Sequence, residues 1–296
     1  MMSVHTKSVR SLALSFLTVT SVLSVPAQGQ NPAEASLETI VERATAYARD
    51  YEDRLGTIVG EEAYYQKAVW SISPESGQDF YEEIVEERRL ASEFLLLRVE
   101  SAWFGVRDVL NVDGEPREAS TDFAPEVLEI SSSLLATWPD NVQYNIGDFR
   151  RTFNVPTYVL TLLRPLNIRR FAFDRMPTTD TNDGVVEVGF REVVRPTLVQ
   201  GLNGEDRFAR GRLWIVPETG AIRKTELVFA IEREESPYSS TITVTFTPSA
   251  QLGMLVPATM EERYETTDHA VDARADYTDF RRFQSEVTLD LGPVNE

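Results

Sequence analysis

Residues 241–247 read Thr241-Ile242-Thr243-Val244-Thr245-Phe246-Thr247, an unbroken alternation of hydroxyl and apolar side chains. Successive side chains of a strand point to opposite faces, so Ile242, Val244 and Phe246 share a buried face and the threonines share a wet one. A helix would spread the same residues around its circumference. The neighbouring segments read the same way. Upstream, Arg210–Val216 and Ile222–Ile231 flank Pro217-Glu218-Thr219-Gly220, with Pro and Gly where a tight turn needs them. Before these come Ile168–Phe173 and Val185–Val194. Downstream follow Val256–Thr266, Val271–Phe283 and Glu286–Leu289. In the last long strand Val271, Ala273, Ala275 and Tyr277 keep one phase and Phe280 and Phe283 take the other, which predicts a β-bulge near Asp279.

The N-terminal half mixes periods. Leu37, Ile40, Val41, Ala44, Tyr47, Ala48 and Tyr51 recur at helical spacing, with Ser36 as cap and Gly56 as stop, which predicts a helix over 36–55. Segments 61–72, 84–99 and Phe104–Val112 read as strands. The Asp113-Gly114 pair after them is a hairpin signal, because both turn residues must tolerate positive φ. Two further helices are predicted. One spans 122–138, with Asp122 as cap and an apolar stripe of Val127, Ile130, Leu134, Leu135 and Trp138. The other spans 155–163, with Asn154 as cap, Pro156 in the first turn and Pro165 as stop. With no repeat and no linker, residues 30–296 form a single β-rich domain of α+β class: a curved antiparallel sheet with an N-terminal helix and two further helices packed on it.

Residues 1–29 carry Lys7 and Arg10, then the uncharged run Ser11–Val25, then small residues around Ala27 and Gly29, the pattern of a cleaved secretory signal peptide. The run is too short to span a bilayer, which takes roughly 20 residues. Removing 29 of 296 residues leaves 267, and the net charge moves from −18 to −20 as Lys7 and Arg10 depart. That charge favours solubility and repels nucleic acid and anionic membrane surfaces, so no nucleic-acid partner is expected. The expectation is a periplasmic or secreted protein with no integral membrane segment after processing. The chain has no cysteine, so there is no lipidated cysteine, disulfide, thiol chemistry or Cys-ligated metal. Its histidines are His5 and His269 alone, and His269 reads as an exposed loop residue. No cofactor, metal site or catalytic residue is expected.

Carboxylates are the only abundant acid–base groups. Adjacent pairs such as Glu61-Glu62, Glu82-Glu83, Glu86-Glu87, Glu234-Glu235 and Glu261-Glu262 point to opposite faces of a strand, so none is itself a glycosidase dyad; solvated surface charge is the expectation. Asp180, Asn182 and Asp183 form half of a calcium loop without its later Glu and read as a turn. Arginines at 150–151, 164, 169–170, 191, 195 and 281–282 are expected to pair with acids across strands. The functional alternative is an anion rim of Arg169 and Arg170 for a carboxylate or phosphate headgroup. Aromatics crowd the meander, and Phe173, Phe190, Trp214, Phe229 and Phe246 are the candidate lining of an apolar groove, with ordinary core packing as the alternative.

The stretch Gly211-Arg212-Leu213-Trp214-Ile215-Val216-Pro217-Glu218-Thr219-Gly220, followed by a charged strand, a Thr-rich strand and Val256-Pro257-Ala258, resembles the periplasmic lipoprotein-carrier (outer-membrane lipoprotein-sorting) family over about residues 185–290. That resemblance implies a half-open antiparallel β-barrel covered by helices, with an apolar cavity for acyl chains. The N-terminal helix, Tyr144-Asn145-Ile146-Gly147 and Tyr277-Thr278-Asp279-Phe280-Arg281-Arg282-Phe283 also resemble a group of uncharacterised exported bacterial proteins. Three functions stay open: a carrier or sensor of a lipid or an acylated protein, an envelope scaffold that binds protein, and a carboxylate-dependent hydrolase.

Overall fold

The computed structural model describes residues 35–55, 58–72, 82–99, 102–117, 143–147, 149, 151, 155–177, 184–201, 204–231 and 237–282. The expected leader, the helix over 122–138, the Asp180–Asp183 turn and the Glu286–Leu289 strand lie outside these residues.

Eleven strands make one antiparallel sheet. In chain order they are β1 (Ile58–Ile72), β2 (Glu82–Val99), β3 (Ala102–Val112), β4 (Glu115–Pro116), β5 (Phe171–Arg175) and β6 (Val186–Glu192). A separate two-stranded ribbon, β7 (Val199–Gln200) and β8 (Asp206–Arg207), interrupts the series. Then come β9 (Ala209–Ile215), β10 (Ile222–Ile231), β11 (Tyr238–Ser249), β12 (Met254–Glu265) and β13 (His269–Arg282). The spatial order is β4-β3-β2-β1-β13-β12-β11-β10-β9-β6-β5, so β13 returns to pair with β1 and joins the N-terminal strands to the meander. Among the described residues the α-helices are α1 (Leu37–Leu55) and the short α2 (Tyr158–Leu162).

The sheet is strongly curled but not closed. α2 contacts both β3 and β10, which lie six strand spacings apart. A flat sheet would separate them by roughly 29 Å at about 4.8 Å per strand, whereas five helical residues span roughly 7.5 Å. Only curling brings both onto one short helix. β4 and β5 remain at the two ends of the order, unpaired with each other.

α1 forms where the three-and-four spacing predicts. The Ser36 hydroxyl accepts the Thr39 amide at 3.2 Å, which satisfies one of the free N–H groups of the first turn. Ile40, Ala44, Ala48, Tyr51 and Leu55 face the core. The helix crosses one end of the curl and is tied to its rim by arginine–carbonyl bonds. Arg43 donates to Pro217 O at 2.6 Å and Arg54 to Gly253 O at 2.6 Å. In return, Arg175 donates to Ala35 O and Arg282 to Leu55 O, both at 3.2 Å. Where α1 meets the β9–β10 turn, Gly220 adopts φ +73, and an added Cβ would lie 2.3 Å from the Arg43 carbonyl carbon. Gly220→Ala therefore combines a left-handed backbone with a backbone clash. It should destabilise by about 1–3 kcal/mol, read as a lowered Tm; an unchanged Tm would mean that α1 does not sit on this turn.

Two local signals sit where the sequence puts them. Asp113 and Gly114 take φ 53 and 94 in the β3–β4 hairpin. Asp279 takes φ 52, and the β1–β13 register slips between Val59 and Glu61 opposite it. That bulge swings the Phe280 ring over Gly60, where a Cβ would come within 2.6 Å of it.

Other expectations are corrected. The strand expected from Ile168 starts at Phe171, because Ile168–Arg170 continue as a 3-10 turn after the Arg164 carbonyl accepts the Asn167 and Ile168 amides. The helix expected over 155–163 is helical only from Tyr158 to Leu162, since Pro156 and Thr157 form a turn and Thr157 provides no side-chain cap. His269 is not an exposed loop residue. It opens β13 and is buried between two rings, Trp70 at 4.7 Å and Phe149 at 4.5 Å. Nor are the glutamate pairs uniformly solvated: Glu62 and Glu262 are buried on the inner face, while Glu61 and Glu261 are exposed.

Candidate functional site: two halves of the concave face

One register row crosses the whole inner face: Phe173, Phe190, Gly211, Leu227, Ile242, Glu262, Ala273, Gln66, Arg88. The row divides in the middle. From β5 to β11 it is apolar, and from β12 onward it carries polar and charged groups.

The apolar half gathers four of the five candidate groove residues. Phe173 and Phe190 are directly paired, and Phe190 meets Phe171 edge-on at 5.9 Å. Gly211 makes room for this ring, since an added Cβ would lie 2.8 Å from it. Phe229 and Phe246 lie on the same face, and Phe246 meets Tyr51 of α1 edge-on at 6.4 Å. Trp214 does not join them. Leu213 and Ile215 take the inward phase of β9, so Trp214 points to the convex face, beneath the Lys224 ammonium at 4.5 Å and the Arg212 guanidinium at 5.3 Å. Strand parity, not aromatic content, decides this.

The polar half is a buried, charge-balanced network. Arg107 of β3 grips Glu62 of β1 through two bonds, Nε to Oε2 at 2.5 Å and Nη2 to Oε1 at 2.9 Å, with side chains 3% and 0% exposed. Its guanidinium also lies over the Tyr64 and Phe94 rings at 4.8 and 5.5 Å. Tyr64 and Tyr264 donate to the two oxygens of Glu262 at 3.0 and 2.5 Å. Arg151 donates to Tyr64 Oη at 2.9 Å, Gln66 Oε1 at 2.7 Å and Ile146 O at 2.5 Å. Gln66 in turn donates to Tyr144 O at 3.1 Å and accepts the Ile146 amide at 3.3 Å. Residues 143–147 are thereby strapped over the polar half, close enough that a Cβ on Gly147 would meet Val271 at 2.5 Å.

Burial and charge set the ionisation states. Burial pushes the Tyr64 hydroxyl well above its ordinary pKa, and the Glu262 carboxylate adds to this. Tyr264 and Tyr277 rise for the same leading reason, helped by Glu262 and Glu62 respectively. Burial alone would lower the Arg107 guanidinium, but the Glu62 carboxylate against it more than offsets this. The tyrosines thus remain neutral donors and the arginine remains charged. Within the polar half, Glu62 already accepts from Arg107 and Glu262 from two tyrosines, so in this arrangement neither is placed as a free acid or base.

Of the two candidate rim arginines, Arg169 is exposed. Arg170 donates to Glu192 Oε1 at 3.1 Å and to the carbonyls of Val194 and Pro196. Elsewhere arginines pair with acids: Arg164 with Glu52, Arg195 with Asp206 and Arg281 with Glu93. Sequence reading took Glu62 and Glu262 for solvated surface charge and singled out neither Gln66 nor Arg107. A signal existed for three of them. Glu62, Tyr64 and Gln66 keep the phase of Ile58 and Ala68, and Glu262 keeps that of Met260 and Tyr264, so polar residues recur on the apolar phase.

Neither a family model nor a curated protein matches the sequence. Among solved structures, the chain is similar to an outer membrane lipoprotein-sorting protein domain from Vibrio parahaemolyticus, at 12% identity over 81% of this chain and 92% of that one, TM-score 0.36. It is also similar to a DUF1329 family protein from Desulfovibrio piger, at 11% identity over 84% and 94%, TM-score 0.28.

Proposed function

We propose that this chain is a non-enzymatic binding protein of the cell envelope that takes the acyl chain of a lipid or of an acylated protein against the apolar half of its concave face. The observation that supports this reading is the division of one continuous inner face. Aromatic and aliphatic residues fill it from β5 to β11, and a charge-balanced network of Glu62, Arg107, Glu262 and Arg151 fills it from β12 to β3. A face divided in this way matches an amphiphile, with the tail on the phenylalanines and the polar end toward the guanidinium groups. Among the described residues no second sheet covers the apolar half. α1 does so, with alanines at 44 and 48 in the middle of its inward stripe and its bonds to the sheet made at the rim. Such a cover can move as a unit when a ligand favours the open form. Export rests on the charge-free run Ser11–Val25 and the small residues after it.

The test is displacement of a fluorescent fatty acid, together with native mass spectrometry of protein purified from its own envelope. Phe190→Leu and Phe229→Leu should weaken probe binding, while Trp214→Ala, on the convex face, should leave it within about twofold. Phe→Ala in this core costs about 3–5 kcal/mol of stability, which is why leucine is the cleaner probe. A wild-type protein that binds no acyl probe and is lipid-free would overturn the reading.

A further inference from the structure

The end of the sheet opposite α1 holds apolar side chains out into solvent on a rigid frame. Leu166 is 90% exposed, Val193 48%, Val194 38% and Leu198 38%, and Pro165 and Pro196 are exposed beside them. These residues come from two separate segments, 164–170 and 193–198, that are bonded together. The Val193 amide donates to Arg170 O at 2.8 Å, and Arg170 reaches back to the carbonyls of Val194 and Pro196. Glu192, its side chain fully buried, accepts from Arg170 Nε at 3.1 Å and from the Leu198 amide at 2.9 Å. These bonds hold the two segments together, and the side chains of Leu166, Val193, Val194 and Leu198 face outward from them.

Cationic groups surround this tip. Arg169, Arg191, Arg195 and Arg210 are all exposed. Arg191 and Arg210 are directly opposed in the β6–β9 register, an arrangement of like charges that costs stability unless an anion lies between them. Arg191 approaches Asp174 only to 4.0 Å, both side chains being mostly exposed, and Arg210 has no ion-pair partner among the described residues. Arg195 is balanced by Asp206 at 2.7 Å. The two opposed arginines border a cavity of about 250 Å³ together with Phe208, Ala209, Ala230 and the already committed Glu192.

We propose that this end docks on the surface of a bilayer containing anionic phospholipid: Leu166, Val193, Val194 and Leu198 enter the headgroup layer, and Arg191 and Arg210 receive a lipid phosphate. Three observations favour a membrane over a protein partner. The apolar residues project instead of lining a groove, they are flanked by arginines, and the cavity beside Arg191 and Arg210 is large enough to admit a phosphate group. The net charge of −18, or −20 without residues 1–29, does not prevent this, because charges beyond a Debye length of about 10 Å at 0.1 M salt are largely screened and Arg169, Arg191 and Arg210 are exposed beside the apolar side chains. The proposal stands whether or not the concave face carries an acyl chain.

The test is flotation of the exported, purified protein with vesicles of phosphatidylcholine, with and without phosphatidylglycerol. The wild type should float with the anionic vesicles at low salt, lose this at high salt, and stay behind with phosphatidylcholine alone. Arg191→Gln with Arg210→Gln should weaken flotation about 10- to 30-fold. Leu166→Ser with Val194→Ser should weaken it severalfold with every arginine kept. Arg263→Gln with Arg274→Gln, on the convex face of β12 and β13, should change nothing. Circular dichroism and the melting curve of each variant identify any that fail to fold. Wild-type protein that never floats, or that floats equally with neutral vesicles, overturns the proposal. So does unchanged flotation of the serine variant when glycerol phosphate competes the wild type off, since that outcome marks a site for a free soluble phosphate and not a membrane surface.

Discussion

Glu62→Ala or Arg107→Ala is expected to remove about 3–5 kcal/mol of folding stability, an effect large enough to unfold a protein of ordinary margin. The reason lies in what each change leaves behind. The pair is joined by two bonds at 2.5 and 2.9 Å, with side chains 0% and 3% exposed. Without Glu62 a guanidinium stays buried against Tyr64 and Phe94 with its carboxylate gone, and without Arg107 a carboxylate stays buried with no cation. Replacing both at once is different. Glu62→Leu with Arg107→Met removes both desolvation costs and should recover most of the loss, because a buried ion pair is often no more stabilising than packed hydrocarbon of similar volume. Denaturant unfolding of Glu62→Leu, Arg107→Met and their double variant reads this as a coupling free energy of a few kcal/mol. Single variants that each cost less than about 1 kcal/mol and simply add would mean that the pair is solvated. The double variant also has a functional use: if it stays folded but binds the acyl probe less well, the guanidinium faces the ligand's polar end.

Raising the pH above about 10 should unfold the protein in one steep transition, with tyrosinate absorbance appearing as the circular dichroism is lost. Burial pushes Tyr47 and Tyr158 up to about 12. It pushes Tyr51, Tyr64, Tyr264 and Tyr277 higher still, and carboxylates reinforce this for the last three. In the unfolded chain these phenols ionise near 10. Below that pH both states hold the protons and the contribution is fully present. Above it the unfolded chain releases protons that the folded one keeps, so stability falls until the folded values are reached. Each such tyrosine contributes about 1.4 kcal/mol per pH unit in that window, and the group together approaches roughly 8 kcal/mol per unit, comparable with a whole domain's stability. A gradual rise of tyrosinate absorbance near pH 10 with the circular dichroism intact would show that the phenols are open to water.

What could be read directly from the chain was whatever depends on near neighbours. The alternation in Thr241–Thr247 became a strand with Ile242, Val244 and Phe246 inward. Ser36 capped its helix, Asp113-Gly114 made its turn, and the phase slip before Phe280 became a bulge at Asp279. Each of these is a matter of period, cap chemistry or backbone φ over a few residues, and none needs a distant partner. The inner-face polar network was not legible in the same way. Glu62 is buried because Arg107, 45 residues away, meets it, and Tyr64 because Glu262, 198 residues away, accepts its hydroxyl. Arg151, 87 residues from Tyr64, donates into the same cluster. A glutamate reads as surface charge until a cation is brought to it, since burial of a charge is favourable only with its partner in place. Trp214 and His269 teach the same point in opposite directions. The aromatic residue faces outward under a lysine, and the polar ring is enclosed between Trp70 and Phe149. The sequence by itself determined most of the long strands, the helix at 37–55 and the inward phase of Ile242, Val244 and Phe246, because these are local. Which polar residues the sheet would enclose was decided only when β13 closed against β1 and the curl brought distant charges together, because desolvation and pairing are properties of the assembled face.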